Sequence, residues 1–192
     1  AGLAGSTPEI LIGQVAARTR HLRVGSGGVM LSHYSPLKVA ENFRMLETLF
    51  PGRIDLGIGR APGSDQLTAH ALQAGPTAFP TDQFALQVRD LFGYLTNSLP
   101  AEHPFARVRA MPVGPTAPEF WLLGSSDQSA ALAAHFSCGF SFAHFINHRG
   151  GEAVMRMYRE HFRPSEAMPE PVGNIGVFAL CADTEEEARY LS

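Results

Sequence analysis

Residues 22–59 read LRVGSGGVMLSHYSPLKVAENFRMLETLFPGRIDLGIG. Leu22–Leu31 is an apolar run with glycines at its centre, the pattern of a buried strand. Ser35-Pro36 then supplies a cap and a first-turn proline. Val39, Ala40, Phe43, Leu46 and Leu49 recur at helical spacing until Pro51-Gly52 ends the pattern. Ile54–Gly59 is a second short apolar strand. Strand, helix and strand in this order form the unit of a parallel sheet, because parallel neighbours need a crossover connection.

The same alternation extends in both directions. Upstream, Ser6 or Thr7 can cap a helix that has Pro8 and Glu9 in its first turn and Ile10, Leu11, Val15 and Ala16 as its stripe. Downstream, a loop runs through Arg60-Ala61-Pro62-Gly63. Thr81-Asp82 opens a helix with Phe84, Val88, Leu91, Phe92 and Leu95 on one face, and no element is assigned between Gly63 and Thr81. A proline-rich stretch from Pro100 to Pro118 reads as an insertion. Strands are expected at Phe120–Gly124, Phe140–Phe145 and Asn174–Ala182. Helices are expected after Ser125-Ser126-Asp127, over Glu152–Phe162, and from Asp183-Thr184, where Glu185, Glu186 and Glu187 suit the positive helix end.

Five strands alternating with five or six helices fit two architectures. A doubly wound sheet usually places a glycine-rich phosphate turn after its first strand. A (β/α)8 TIM barrel distributes functional residues over the carboxyl ends of several strands. Here Ser32-His33, Arg60, Ser125-Ser126 and His144 end four different strands, which favours the α/β barrel. A complete barrel takes about 250 residues. The expectation for residues 1–192 is therefore a single barrel domain, truncated at both ends, carrying about strands 3–7 without the N- and C-terminal units.

Composition narrows the function. Hydrophobic residues make up 45% of the 192 and charged residues 17%, a globular balance. A net charge of −3 gives no basic excess for nucleic acid or an anionic membrane. No apolar run reaches the roughly 18 residues of a spanning helix, and no signal peptide is visible. Cys138 and Cys181 lie far apart in apolar surroundings. They read as small buried hydrophobes rather than a disulfide, which suits a reducing cytoplasm.

Four constellations could carry chemistry. Gly25-Ser26-Gly27-Gly28 puts three glycines inside a strand, which calls for either tight packing or a flat ligand against bare backbone. Gly57-Ile58-Gly59-Arg60-Ala61-Pro62-Gly63 has the spacing G-x-G-x-x-x-G and leads into a proline loop, so it is not a dinucleotide fingerprint. Its Arg60 follows a strand directly, where it can pair with a phosphate or form a surface salt bridge. Gly124-Ser125-Ser126-Asp127-Gln128-Ser129 joins a strand to a helix start, either an anion site or a simple cap. His144 ends an apolar strand as a base, a donor or a satisfied core residue. There is no metal-ligand spacing, no nucleophile elbow and no Walker A motif. Together these residues describe a pocket for a phosphorylated flat ligand, in which a cofactor carries the chemistry.

VGSGGVML, SPLKVAENFRMLETLFPGRIDLGIGRAPGSD, WLLGSS and FAHF closely resemble the luciferase-like monooxygenases nearest to bacterial luciferase subunits. The resemblance implies a (β/α)8 barrel binding FMN at the carboxyl ends of its strands. It also implies a monooxygenase that uses reduced FMN from a separate flavin reductase, with O2, to oxygenate an aldehyde or another small organic substrate. By position, Gly27 and Gly28 match a pair of small residues supporting the flavin ring, a pair often joined by a non-proline cis peptide. Arg60, Ser126 and Ser129, with Ser125 beside them, match positions that contact the flavin phosphate. His144, the catalytic candidate, or Phe145 falls near a residue that walls the ring. Two departures stand out. The family's Glu-His-His segment would precede Ala1, and His70 stands where some members carry a second phosphate-binding arginine. The resemblance leaves room for a deazaflavin (F420)-dependent oxidoreductase, for a noncatalytic flavin-binding subunit and for a homodimer. A barrel isomerase using the phosphate site is disfavoured by the strand glycines.

Overall fold

A computed structural model describes residues 7–61, 66–72 and 83–192. Among the described residues the order is α1 (Pro8–Arg18), β1 (Val24–Met30), α2 (Pro36–Leu49), β2 (Ile54–Gly59), α3 (Gln66–Leu72) and α4 (Phe84–Thr96). It continues with β3 (Glu119–Gly124), α5 (Asp127–His135), β4 (Gly139–Ala143), α6 (Gly151–His161), β5 (Gly173–Gly176) and α7 (Glu185–Leu191). A 3-10 turn at Leu31–His33 follows β1.

All five strands lie in one sheet in the order β1-β2-β3-β4-β5, and every pair is parallel. Sequential order has no switch point, so the doubly wound alternative fails. Burial along the strands agrees. Ile54, Leu56, Ile58, Phe120, Leu122, Phe140 and Phe142 all join the buried core. They share it with Ile12 and Ala16 of α1, Phe43 and Leu46 of α2 and Val88 and Leu91 of α4. Their alternating neighbours Asp55, Gly59, Glu119, Trp121 and Leu123 are only partly buried. Helices cover one face of the sheet, as in a (β/α)8 barrel; among the described residues the other face is open along β2 and β3, while Ser141 and Ala143 of β4 are buried on it.

Two buried or half-buried arginines tie the crossovers down. Arg44 of α2, 3% exposed, donates to the carbonyls of Tyr94 and Leu95 at the end of α4 and, at 3.4 Å, to that of Pro112. Arg53 donates to the carbonyls of Ala16 and Thr19 at the end of α1. Arg44 serves carbonyls in the last turn of α4, where intrahelical donors run out, and Arg53 shares the Ala16 carbonyl with the Thr19 N–H at the end of α1. Burial pulls the Arg44 guanidinium down from its ordinary pKa.

The elements depart from the sequence reading in several places. Helix α3 occupies part of the interval where no element was assigned; its seven residues are too short to declare a periodicity. The last strand stops at Gly176 instead of Ala182, since among the described residues β5 pairs only with β4, and Val177 and Phe178 are exposed at 62% and 85%. The first strand ends at Met30, one residue short of the apolar run, because the backbone turns at Leu31. Thr7 and Ser35 occupy N-cap positions without a side-chain cap bond. Ser6, the loop from Pro62 to Gly63 and Thr81-Asp82 fall outside the described residues. Cys138 is buried, as expected, but Cys181 is exposed, because it follows the shortened β5 rather than lying within a strand.

Candidate active site

The open face is bare backbone at its centre. Gly27 of β1 pairs in register with Gly57 of β2, and Gly59 pairs with Leu123 of β3. The register slips between Gly27 and Val29, so Gly28 forms a bulge, and the Gly27–Gly28 peptide is cis. The glycines serve two different purposes. A Cβ on Gly28 would lie 2.8 Å from the Gly57 carbonyl oxygen, and one on Gly57 would strike the Ser26 carbonyl oxygen and reach 2.7 Å from Leu123 Cδ1. These two allow β1 and β2 to close on each other. Among the described residues, a Cβ on Gly27 would meet nothing nearer than Leu123 Cδ2 at 3.9 Å, and one on Gly59 would meet nothing within 4 Å. Packing does not require glycine at these two positions.

Ser26 locks the close approach from the other side. Its hydroxyl donates to the Gly57 carbonyl at 2.8 Å and accepts from the Gly57 N–H at 3.1 Å. Trp121, the register partner of Gly57 on β3, lies over Gly139, where a Cβ would fall 2.6 Å from the indole Cδ2. Its Nε1 donates to Asp55 Oδ1 at 3.4 Å.

One step further along the strands the chain becomes polar. Arg60, the first residue past β2, is exposed and donates from Nη1 to Gln128 Oε1 at 3.0 Å. Gln128 is in the first turn of α5, so the arginine reaches from the end of β2 to the helix start after β3. Ser126 is the N-cap of α5, and its Oγ accepts from the Ser129 N–H at 3.5 Å and lies 3.3 Å from Ser129 Oγ. Ser125 precedes it in the same turn, half-buried. A Cβ on Gly124 would run into the Ser129 side chain, so this glycine lets the helix start close to the strand. The resulting corner holds a guanidinium, two hydroxyls and the N-terminus of a nine-residue helix, all groups that stabilise an anion. Asp127 in the first helical turn is the one carboxylate of that turn.

His144 immediately follows β4, with an exposed side chain, and its N–H donates to the Phe142 carbonyl at 2.9 Å. Phe145 packs edge-on against Phe178, ring centroids 5.4 Å apart, and covers Gly176. The side chain of His70 lies outside the described residues. Gly27, Gly28, Arg60, Ser125, Ser126, Ser129 and His144 thus occupy β1 and the carboxyl ends of β2, β3 and β4. Direct contacts join Arg60 to the α5 turn; His144 has none to that group among the described residues.

Several participants escaped the sequence reading. Gln128 sits inside the quoted serine turn, but nothing in its spacing marks it as the partner of Arg60. Leu123 leans over Gly57 and could have been found from the strict alternation of β3. Arg23, just before β1, bonds both Asp55 and Glu119 at 2.6 Å for the latter, and donates to the Gly52 carbonyl. The bonded Asp55 carboxylate raises the Arg23 pKa further. No local pattern links these three residues, which are separated widely in the chain. Cys138, with its thiol pushed up to about 12 by burial, is unsuited to nucleophilic work. Among the described residues no group of three His, Cys, Asp or Glu could hold a metal, and no helix is long and apolar enough to cross a membrane.

Comparison with known proteins agrees with this architecture. The family described as Luciferase-like monooxygenase matches residues 4–192. An uncharacterized protein of Bacillus subtilis, YwcH, is 52% identical over 98% of this chain and 56% of its own length. An N-acetyl-S-alkylcysteine monooxygenase from the same organism is 43% identical over 97% of this chain and 55% of its own. The crystal structure of apo-MsnO8 superposes with a TM-score of 0.78 at 41% identity, covering 95% of this chain and 53% of that one. The chain spans about half the length of the relatives it matches. It belongs to the luciferase-like monooxygenase family.

Proposed function

We propose that this chain contributes the cofactor-binding part of a flavin-dependent monooxygenase that takes reduced FMN and O2 and oxygenates a small organic substrate. The observation that carries the reading is the pairing of a bare open-face patch at Gly27 and Gly59 with the Arg60–Ser126–Ser129 anion corner. Three residue steps lead from Gly57, the register partner of Gly27, to Arg60, a span of about 10 Å at strand rise. A ribityl chain joining a flat ring to a phosphate is commensurate with it. The donor set suits a phosphate, and the absent Cβ atoms suit a ring, so the residues fit FMN. Bound reduced flavin would supply the electrons and the site of O2 activation.

The chain's own residues then have defined tasks. Arg60 and the α5 N-terminus hold the dianion. Gly27 and Gly59 offer a flat wall, with Leu123 beside it. His144, just past the end of β4, is the proposed catalytic residue, whose task would be to hold or move a proton near the reacting centre. A separate flavin reductase is the proposed source of reduced FMN. An aldehyde is the first substrate class suggested by the family resemblance. A thioether is the second, favoured by the relative named N-acetyl-S-alkylcysteine monooxygenase.

The test is a stopped-flow reaction of the full-length protein with photoreduced FMN and O2, with an aldehyde and an S-alkylcysteine derivative as candidate substrates. Oxygenated product formed in proportion to flavin oxidised supports the reading. Flavin binding without product from any candidate would favour a noncatalytic flavin-binding subunit, and binding of F420 in preference to FMN would favour the deazaflavin reading.

A further inference from the structure

A second cavity lies at the opposite, amino-terminal ends of the strands. It encloses about 680 Å³ between the ends of α2 and α4, the starts of β2 and β3, and the segment before β5. Its wall is apolar: Phe92 and Phe120 meet there with ring centroids 6.0 Å apart, and Leu95 and Met168 extend the surface.

The charged groups on this cavity are unequal. Glu47, from the last turn of α2, is only 2% exposed. Its Oε1 accepts from the Gly52 N–H at 2.8 Å, while Oε2 is buried with no hydrogen-bond partner among the described residues. Arg23 also lines the cavity, yet its guanidinium is already engaged by Asp55, Glu119 and the Gly52 carbonyl. Against this one guanidinium stand the carboxylates of Asp55 and Glu119 and, acting on it without a hydrogen bond, that of Glu47, so the cluster carries more negative charge than positive. The exposed Glu170 adds a further carboxylate at the rim.

A buried carboxylate oxygen without a donor, set in an apolar wall, is complementary to a charged donor on an apolar body. We propose that this amino-terminal cavity binds an amphipathic organic ammonium ion, its cation against Glu47 and its hydrocarbon against Phe92 and Phe120. The rings add the attraction of aromatic faces for a cation. This site is separate from the proposed flavin site, which occupies the other ends of the same strands.

The experiment is calorimetric titration of the full-length protein with phenethylammonium, with its neutral analogue 2-phenylethanol and with phenylacetate. The ammonium ion is expected to bind at least about tenfold more tightly than the alcohol, as a charge-assisted contact implies. Glu47→Gln should bring the two within roughly twofold, with affinity for reduced FMN unchanged. Should Glu47→Gln fail to fold, Ala167→Trp at the exposed rim should block ammonium binding and leave the fold intact. Equal binding of ammonium and alcohol, preference for phenylacetate, no binding of any of the three, or undiminished ammonium binding in a folded variant overturns the proposal.

Discussion

The same five strands present two unlike faces. The helix-covered face is sealed, with Leu56, Ile58 and Phe140 at 0% exposure. The open face carries Gly27, Gly57, Gly59, Asp55, Glu119 and Trp121 at the alternating positions. In IDLGIG the two faces interleave residue by residue, isoleucine and leucine toward the helices, aspartate and glycine away. Strand alternation lets one segment hold the fold and shape a site at once, because successive side chains point to opposite sides. The difference between the faces can be broken by mutation in graded ways.

The largest loss of stability should come from the sealed face. Phe140→Ala removes a fully buried ring and should cost about 3–5 kcal/mol in a denaturant titration. A cost near zero would mean that the helix-covered face is not the core. On the open face, Gly57→Ala should also destabilise, by about 1–3 kcal/mol, because its Cβ meets the β1 backbone, which cannot move aside cheaply. Gly28→Val should act likewise and abolish turnover.

Arg60→Ala sharpens the contrast by affecting binding and not folding. Loss of a charge-assisted phosphate contact of about 1.5–3 kcal/mol should weaken reduced FMN about 10- to 100-fold, with little change in melting temperature. The single tryptophan, Trp121, lies on the open face and offers the readout as quenching of its fluorescence. Gly27→Ala should keep the parent's stability, since only Leu123 approaches its Cβ, yet impair flavin binding. Full affinity in that variant would make Gly27 irrelevant to the ring.

The smallest effects concern single titrating groups. Native protein should take up one thiol reagent, at exposed Cys181, while Cys138 reacts only after unfolding. Tyr158, fully buried, contacts the Cys138 and Val172 carbonyls at 2.8 and 3.1 Å, and burial pushes its pKa up from 10 to about 12. Folding therefore favours its neutral form. That stabilisation is complete below pH 10 and is lost as the pH rises through 12. Tyr158→Phe should flatten this alkaline limb of the stability profile.

Much of the fold was legible because its signals are local. Ser126 before an alanine-rich stretch marked the start of α5, and glycines punctuating VGSGGVM marked a strand with a special backbone. The strand ends were less legible, as Asn174–Ala182 illustrates: an apolar run becomes a strand only where a neighbour supplies hydrogen bonds, and β5 has one neighbour over four residues. Among the candidate site residues, Arg60 and Ser126 could be named from their positions after strands. Their connection through Gln128 could not, since it joins residues 68 apart in sequence.

Composition and periodicity alone established alternating strands and helices, a parallel sheet and the places where polar residues follow strands. These follow from backbone hydrogen bonding and from burial periods of two and 3.6 residues, which act over short stretches of chain. The sorting of glycines into those needed for packing and those leaving space depended on folding. So did the Arg23–Asp55–Glu119 cluster and the unpaired oxygen of Glu47. Each depends on how distant strands come into register, and register is settled by the packing of the whole sheet against its helices.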